Sequence, residues 1–275
     1  MYFVLRSLYF YNKSQKTGKL WSVNYISDNI YYICYNIPMA LNLQLKSFLK
    51  EMSLELSDEK ISDIDIYIRE INAWNAKADL TALKDYESMF VNLFLDAFTL
   101  LPFIKSDSTL VDIGTGGGFP GLALKLFHRD LKVTLIDSSS KKCVFLNHIS
   151  TLLNMKDVNV LWERAEEMGR DVSYREKFDY ACCRAVASMS TISELCIPFL
   201  KVGGSFVASK GKDKAEITQA EGVIKNIGGN IDRVENIKYS FFNEEKNIVI
   251  VSKVKETPEK YPRRNGIPQK RPLKS

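Results

Sequence analysis

The residues most able to do chemistry lie in one run, Val111-Asp112-Ile113-Gly114-Thr115-Gly116-Gly117-Gly118-Phe119-Pro120-Gly121. Glycines at this density let a chain bend sharply and let its backbone approach a ligand without side-chain clash. A helix following the turn would offer its first N–H groups to an anion. Two ligands suit such a turn: the pyrophosphate of a dinucleotide, or the methionine part of S-adenosylmethionine. Asp112 makes the pattern Asp-x-Gly-x-Gly, and its carboxylate is expected to face the amino-acid end of the latter. A Gly-x-Gly-x-x-Gly counted from Gly114 fails at Phe119, although Gly116, Gly118 and Gly121 satisfy it in a shifted frame. Asp137 closes the next apolar run, where a carboxylate can accept ribose hydroxyls. Gly114, Gly116 and Asp137 are thus expected to line a nucleoside-cofactor site.

These groups need a sheet to hold them. Candidate strands cover 109–113, 132–136, 158–161, 178–183, 205–209, 236–239 and 248–253. Helical patterns separate the first five, over 121–127, 141–153, 165–169 and 191–200, with another over 215–227. This alternation predicts an α/β fold built on a doubly wound, mainly parallel sheet that ends in an antiparallel pair. Ahead of it, Ile61, Ile64, Ile68, Ile71 and Trp74 recur at spacings of three and four, which marks one face of a helix. Ser57 is placed to cap it. A second helical stretch is expected over 87–101. The divisions read as a poorly ordered extension over 1–38, a small helical region over 39–105, a Rossmann-like domain over 106–257 and a basic tail over 258–275.

The charge is uneven. The chain carries +5, yet 260–275 alone holds six basic residues and no acid, which leaves the first 259 residues near −1. Three prolines there predict an extended segment, and basic tails often meet phosphate. Apolar content of 45% and charged content of 26% are those of a globular protein, and no apolar run is long enough to span a membrane. Five cysteines without a C-x-x-C pattern argue against a disulfide framework or zinc site and for reduced thiols in the cytoplasm. The two histidines, His128 and His148, are expected on helix or loop surfaces and give little support to a hydrolytic triad. No export signal is recognisable near the start, and residues 1–38 read as dispensable for activity.

From about residue 40 onward the chain resembles the bacterial family of small-subunit ribosomal RNA guanine-N7 methyltransferases, RsmG/GidB. The resemblance rests on Trp74-Asn75 with Leu80-Thr81, the glycine run ending Gly117-Gly118-Phe119-Pro120-Gly121, Asp137-Ser138 and Arg164-Ala165-Glu166-Glu167. It continues with Arg184-Ala185-Val186-Ala187, Lys210-Gly211 and the closing Tyr261-Pro262-Arg263-Arg264-Asn265-Gly266-Ile267-Pro268. It implies a class I S-adenosylmethionine methyltransferase fold, S-adenosylmethionine as cofactor, and cofactor contacts at Gly114, Phe119, Ala165, Glu166 and Arg184. Arg164 and Lys210 resemble the family's other basic residues near the reaction centre and are candidates for a catalytic role. Arg263, Arg264, Lys270 and Arg271 are expected to contact RNA, and the partner is small-subunit rRNA or the ribosomal subunit. No metal is implied, and a monomer is expected. The chain departs from the family at Asn92-Leu93, Lys246 and Asp79, which touches RNA contact more than cofactor binding.

Guanine N7 carries a free lone pair, so its methylation removes no proton, and the shortage of histidines agrees with that. An exocyclic-amine enzyme would often show Asp/Asn-Pro-Pro-aromatic where Arg184-Ala185-Val186 stands. A C5-pyrimidine enzyme would need a cysteine, typically after proline, and none of the five follows one. Cys182 and Cys183 read as small apolar strand residues. Three alternatives remain open from residues alone: a nicotinamide-dependent oxidoreductase using the same turn, a methyltransferase of another RNA or a small molecule, and an RNA-binding factor that only senses the cofactor.

Overall fold

The structure, a computed structural model, describes residues 48–274 apart from 53, 56, 185, 186, 240, 241 and 243. The expected extension over 1–38, the first part of the helical region, Cys34 and the Ala185-Val186 pair lie outside the described residues.

Seven strands form one sheet: β1 Thr109–Ile113, β2 Lys132–Asp137, β3 Val158–Trp162, β4 Phe178–Arg184, β5 Leu200–Lys210, β6 Gly229–Ile237 and β7 Lys246–Lys253. Their spatial order is β3-β2-β1-β4-β5-β7-β6. β1 to β5 pair in parallel, and β7 runs antiparallel to both β5 and β6. The chain direction across the sheet reverses between β1 and β4, so the crevice beyond their carboxyl ends is the place for a ligand.

Both faces of the sheet are covered, which is why β1 and β2 read as nearly continuous apolar runs. On one face Leu110, Leu122, Phe145 and Cys182 share a core with Ile64, Ile68 and Phe94 of the N-terminal helices. On the other, Val111, Ile113, Ile192, Ile217 and Ile224 pack together. The helix Asp58–Ala78 starts as its sequence dictates: Ser57 Oγ accepts Lys60 N–H at 3.4 Å, and Asp58 and Glu59 occupy the first turn. Arg129, just past the helix Gly121–Phe127, pairs with Asp63 at 2.5 Å and ties this helix to the sheet.

Several elements differ from expectation. The stretch expected as one helix over 87–101 is a short helix Tyr86–Met89, a π-helical turn Phe90–Leu95 and a last turn Asp96–Phe98. The helix expected over 215–227 breaks at Ala220 into Ala215–Gln219 and Glu221–Ile227. β6 begins at Gly229 rather than near Asn236, because its edge position leaves residues such as Asp232 and Arg233 exposed. The tail is not extended throughout: Gly266, at φ 72°, starts a short helix Ile267–Lys270. Pro268 fits there because the first turn of a helix needs no N–H from it. His148 lies on a helix surface as expected, with its Nε2 meeting Glu70 Oε2 at 2.7 Å and its ring against Trp74. The four described cysteines are free and buried. Among the described residues no helix is long and apolar enough to cross a membrane, and no cluster of metal-ligating side chains occurs.

Candidate active site

β1 carries the glycine turn to the crevice, and Asp112 holds it. Its Oδ2 accepts the Thr115 hydroxyl at 2.7 Å and Gly121 N–H at 2.8 Å. The carboxyl is completely buried, so it braces the turn from beneath and does not face the crevice as its position suggested. Burial pushes its pKa up to about 6, opposed by bonds from Thr115 and Gly121, by the Arg184 charge and by the Cys182 thiol. An acid raised above its unfolded value of about 3.9 adds stability that is complete below pH 4 and lost as pH rises through 6. Asp112→Asn is therefore expected to change its stability difference from wild type by about 2–3 kcal/mol between pH 4 and pH 6. Above that window the difference should be flat. Urea melts across this range check it, and a pH-independent difference would refute it.

The glycines divide by what surrounds them. A Cβ at Gly114 or Gly116 would meet nothing within 4 Å, although both residues have positive φ. At Gly118 it would strike the Tyr67 hydroxyl, and at Gly121 it would come within 2.9 Å of Asp112. Gly114 and Gly116 thus border open space, whereas Gly118 and Gly121 permit close packing beneath. The helix Gly121–Phe127 was expected to offer N–H groups to an anion. Its first two are already taken, Gly121 N–H by Asp112 and Leu122 N–H by the Gly118 carbonyl.

Tyr67, which sequence reasoning missed, donates to the Gly117 carbonyl at 2.7 Å from the helix Asp58–Ala78. It lies on the face marked by Ile64 and Ile71, at spacings of three and four, so the periodicity held a signal for it. Asn75 does similar work: its amide bridges Leu80 N–H, Thr81 N–H and the Thr81 carbonyl, setting the loop that leans on Gly117. The Phe119 ring is buried between Tyr67 and Phe94, with centroids 5.3 and 4.9 Å away. Only its backbone is left for a ligand.

Arg184 ends β4 at the reversal point. Its guanidinium lies 5.6 Å from the Phe119 ring centre and donates to the Asn92 carbonyl at 2.8 Å. Asn92 sits in the π turn, a geometry in which backbone carbonyls lose their regular helical spacing. Burial lowers the Arg184 pKa, and Asp96 and Asp112 oppose the shift. Asp96 is itself engaged by Lys246 and Ser209.

Asp137, at the end of β2, accepts Gly116 N–H and Ser139 N–H, each at 2.9 Å. Beside it Ser138, Trp162, Glu163 and Arg164 line an open cleft of about 380 Å³, within the roughly 300–1,000 Å³ typical of small-ligand sites. Trp162 is 63% exposed, and its indole N–H is fixed on the Ser138 carbonyl at 3.0 Å. Sequence reading stopped β3 one residue short of it. Arg164 is exposed and precedes the short helix Ala165–Met168; Glu166 on that helix is buried, and its Oε1 accepts Gly266 N–H at 2.8 Å.

Lys210 is not beside Arg164. They lie at the ends of β3 and β5, four strand spacings apart, or roughly 19 Å at about 4.8 Å each. Lys210 donates to the Ala187 carbonyl and pairs with Glu216, both at 3.0 Å. It anchors the loop after Arg184. Of the tail's basic residues, Arg263 is committed to Glu194, whereas Arg264, Lys270 and Arg271 are exposed. The expectation of a free basic strand is corrected by that pairing.

Strand order, a glycine turn open at Gly114 and Gly116, and an acid at the end of β2 define a class I S-adenosylmethionine-dependent methyltransferase. The comparisons with known proteins take the assignment further. Residues 60–249 match the family model described as rRNA small subunit methyltransferase G. The ribosomal RNA small subunit methyltransferase G of Acetivibrio thermocellus is 39% identical over 236 residues, covering 84% of this chain and 98% of that protein. That of Clostridium botulinum is 40% identical over 233 residues, covering 84% and 98%. A solved SAM-dependent methyltransferase from Aquifex aeolicus aligns with 67% of this chain and 96% of its own, at TM-score 0.46 and 16% identity. The chain belongs to the rRNA small subunit methyltransferase G family, and the nicotinamide alternative falls.

Proposed function

We propose that the chain methylates N7 of a guanine in small-subunit (16S) ribosomal RNA. The observation that carries this reading is the company Arg184 keeps. The carboxylates near it are not free in the crevice: Asp112 is wholly buried with its Oδ2 held by Thr115 and Gly121, and Asp96 is engaged by Lys246 and Ser209. Neither histidine stands there as a base: His148 is held by Glu70, and His128, whose pKa is lowered by burial, lies among Leu101, Ile104 and Lys60. N7 methylation needs no base. It needs the acceptor held in line with the methyl group, and positioning alone supplies several kcal/mol.

When bound, S-adenosylmethionine supplies an electrophilic sulfonium methyl. Gly114 and Gly116 offer it bare backbone, Asp137 offers a carboxylate to its ribose, and Ala165 and Glu166 flank its adenine side. Phe119 contributes backbone, and Arg184 stands at the reacting end. Lys210 orders the loop that meets the RNA, and Arg164 adds positive charge at the cleft. Arg264, Lys270 and Arg271 contact RNA phosphate. The same reading makes the protein a cytoplasmic monomer, in keeping with the free thiols of the four described cysteines. The test uses S-adenosylmethionine with a tritiated methyl group and deproteinised small-subunit RNA. Borohydride and aniline then cut the strand at N7-methylguanine. Label with scission at one guanine is expected; label without scission, or none, overturns the proposal.

A further inference from the structure

The C-terminal segment crosses the elements that follow the edge strand β3 and the central strand β4. Arg175 begins the path, donating to the Thr257 carbonyl at 2.5 Å and the Tyr261 carbonyl at 2.8 Å. Arg170 holds the Pro262 carbonyl at 2.8 Å. Arg263 then grips Glu194, on the helix Met189–Cys196 that follows Arg184, through its backbone N–H and its guanidinium. Three residues later Gly266 N–H reaches Glu166 at 2.8 Å, and Asn265 bonds the neighbouring Glu167. One short peptide is therefore fixed at once to the loop after β3 and to the helix after β4. No donor among the described residues reaches the second carboxylate oxygen of Glu166.

We propose that residues 261–266 are a positioning strap for the cofactor site: they hold one oxygen of Glu166, and hence the start of the helix Ala165–Met168, in register with the helix Met189–Cys196 that follows Arg184. This rests on Glu166 lying on the adenine side of the cofactor. The strap acts through Glu166, by the Gly266 N–H and the Arg263–Glu194 pair, and not through the exposed Arg264 side chain that meets RNA. Its failure would appear in cofactor affinity before it appeared in RNA affinity. A basic tail used only as an RNA contact would show the reverse.

Gly266 gives the means to test it. At φ 72° it needs glycine, but alanine keeps the N–H at modest strain. Proline removes the N–H and cannot adopt that φ. A chain ending at Arg264 also removes the contact while keeping Tyr261 and the Arg263–Glu194 pair. S-adenosylmethionine affinity is read by calorimetry, KM for cofactor and for RNA by steady-state kinetics, and folding by thermal melts. One hydrogen bond to a charged group corresponds to roughly tenfold in affinity. Gly266→Pro and the shortened chain are each expected to weaken cofactor binding by roughly that factor. Both should raise KM for the cofactor; Gly266→Pro should leave KM for RNA unchanged, the shortened chain, which also loses Lys270 and Arg271, should raise KM for RNA as well, and Gly266→Ala should stay close to wild type. Unchanged cofactor affinity in the shortened chain, or a rise confined to KM for RNA, overturns the strap. Glu166→Ala separates the two readings. If it too leaves cofactor affinity unchanged, the placing of Glu166 at the site is what fails; if it alone weakens binding, the strap is.

Discussion

Replacing Arg263 with alanine is expected to lower the free energy of unfolding by about 3–5 kcal/mol, the cost of leaving a buried carboxylate without its counter-ion. Glu194 has no exposed surface, and Arg263 meets both its oxygens at 2.7–2.8 Å. At about 2–4 °C per kcal/mol for a domain of this size, the melting temperature should fall by roughly 6–20 °C. Pairing Arg263→Met with Glu194→Leu should recover most of the loss, because it removes the charge that lacks a partner. Changing Arg264, Lys270 and Arg271 to Gln should instead leave the melting temperature alone. It should lower the log–log salt slope of RNA binding by about 2, at roughly 0.7 for each single-strand phosphate contact. An unaltered melting temperature in Arg263→Ala would free that residue for RNA and refute its structural assignment.

Arg184→Ala is expected to weaken S-adenosylmethionine binding by roughly 1.5–3 kcal/mol, as befits a charge-assisted contact in a half-buried place. Methyl transfer should fall at least as far, because the same side chain joins three parts of the site. It reaches the π turn through the Asn92 carbonyl, covers the Phe119 ring, and offsets the Asp96 and Asp112 charges. Without it the Asp112 carboxyl should rise further above 6, moving the pH window of its stability contribution upward. Arg184→Lys keeps the charge but not the planar fork and should fall between the two. Calorimetric titration and single-turnover rates measure the effect; unchanged affinity with an unchanged rate would sink the assignment.

Much of this was legible in the sequence because local pattern and tertiary role agreed. β1 and the helix Gly121–Phe127 have the bounds their apolar runs and glycines predict. Ser57 caps its helix because its position before Asp58 and an apolar stripe allows little else. What stayed hidden depended on partners far away in the chain. Nothing local marks Phe90–Leu95 as a π turn, and the bond that uses it comes from Arg184, 92 positions on. Asp112 looked like a ligand-facing acid, since its type and spacing suit that role; only the fold shows its carboxylate turned toward Thr115 and Gly121. The tail's basic residues read as one electrostatic unit, yet Glu194 selects Arg263 from among them. β6 was read short because an edge strand with exposed polar residues lacks the apolar signal of a central one.

The bond between Glu166 and Gly266 spans 100 residues. A ribosome adding about 5–20 residues per second takes roughly 5–20 s to travel that distance. For most of that interval the growing chain already holds the glycine turn, Asp137 and Arg184, while the strap residues are still unmade. With the strap as proposed, the cofactor site is among the last features of the molecule to be completed in time, although most of its parts are synthesised first. If the strap acts as proposed, a chain stalled or cut before Gly266 would carry the parts of a methyltransferase with a grip on the cofactor roughly tenfold weaker.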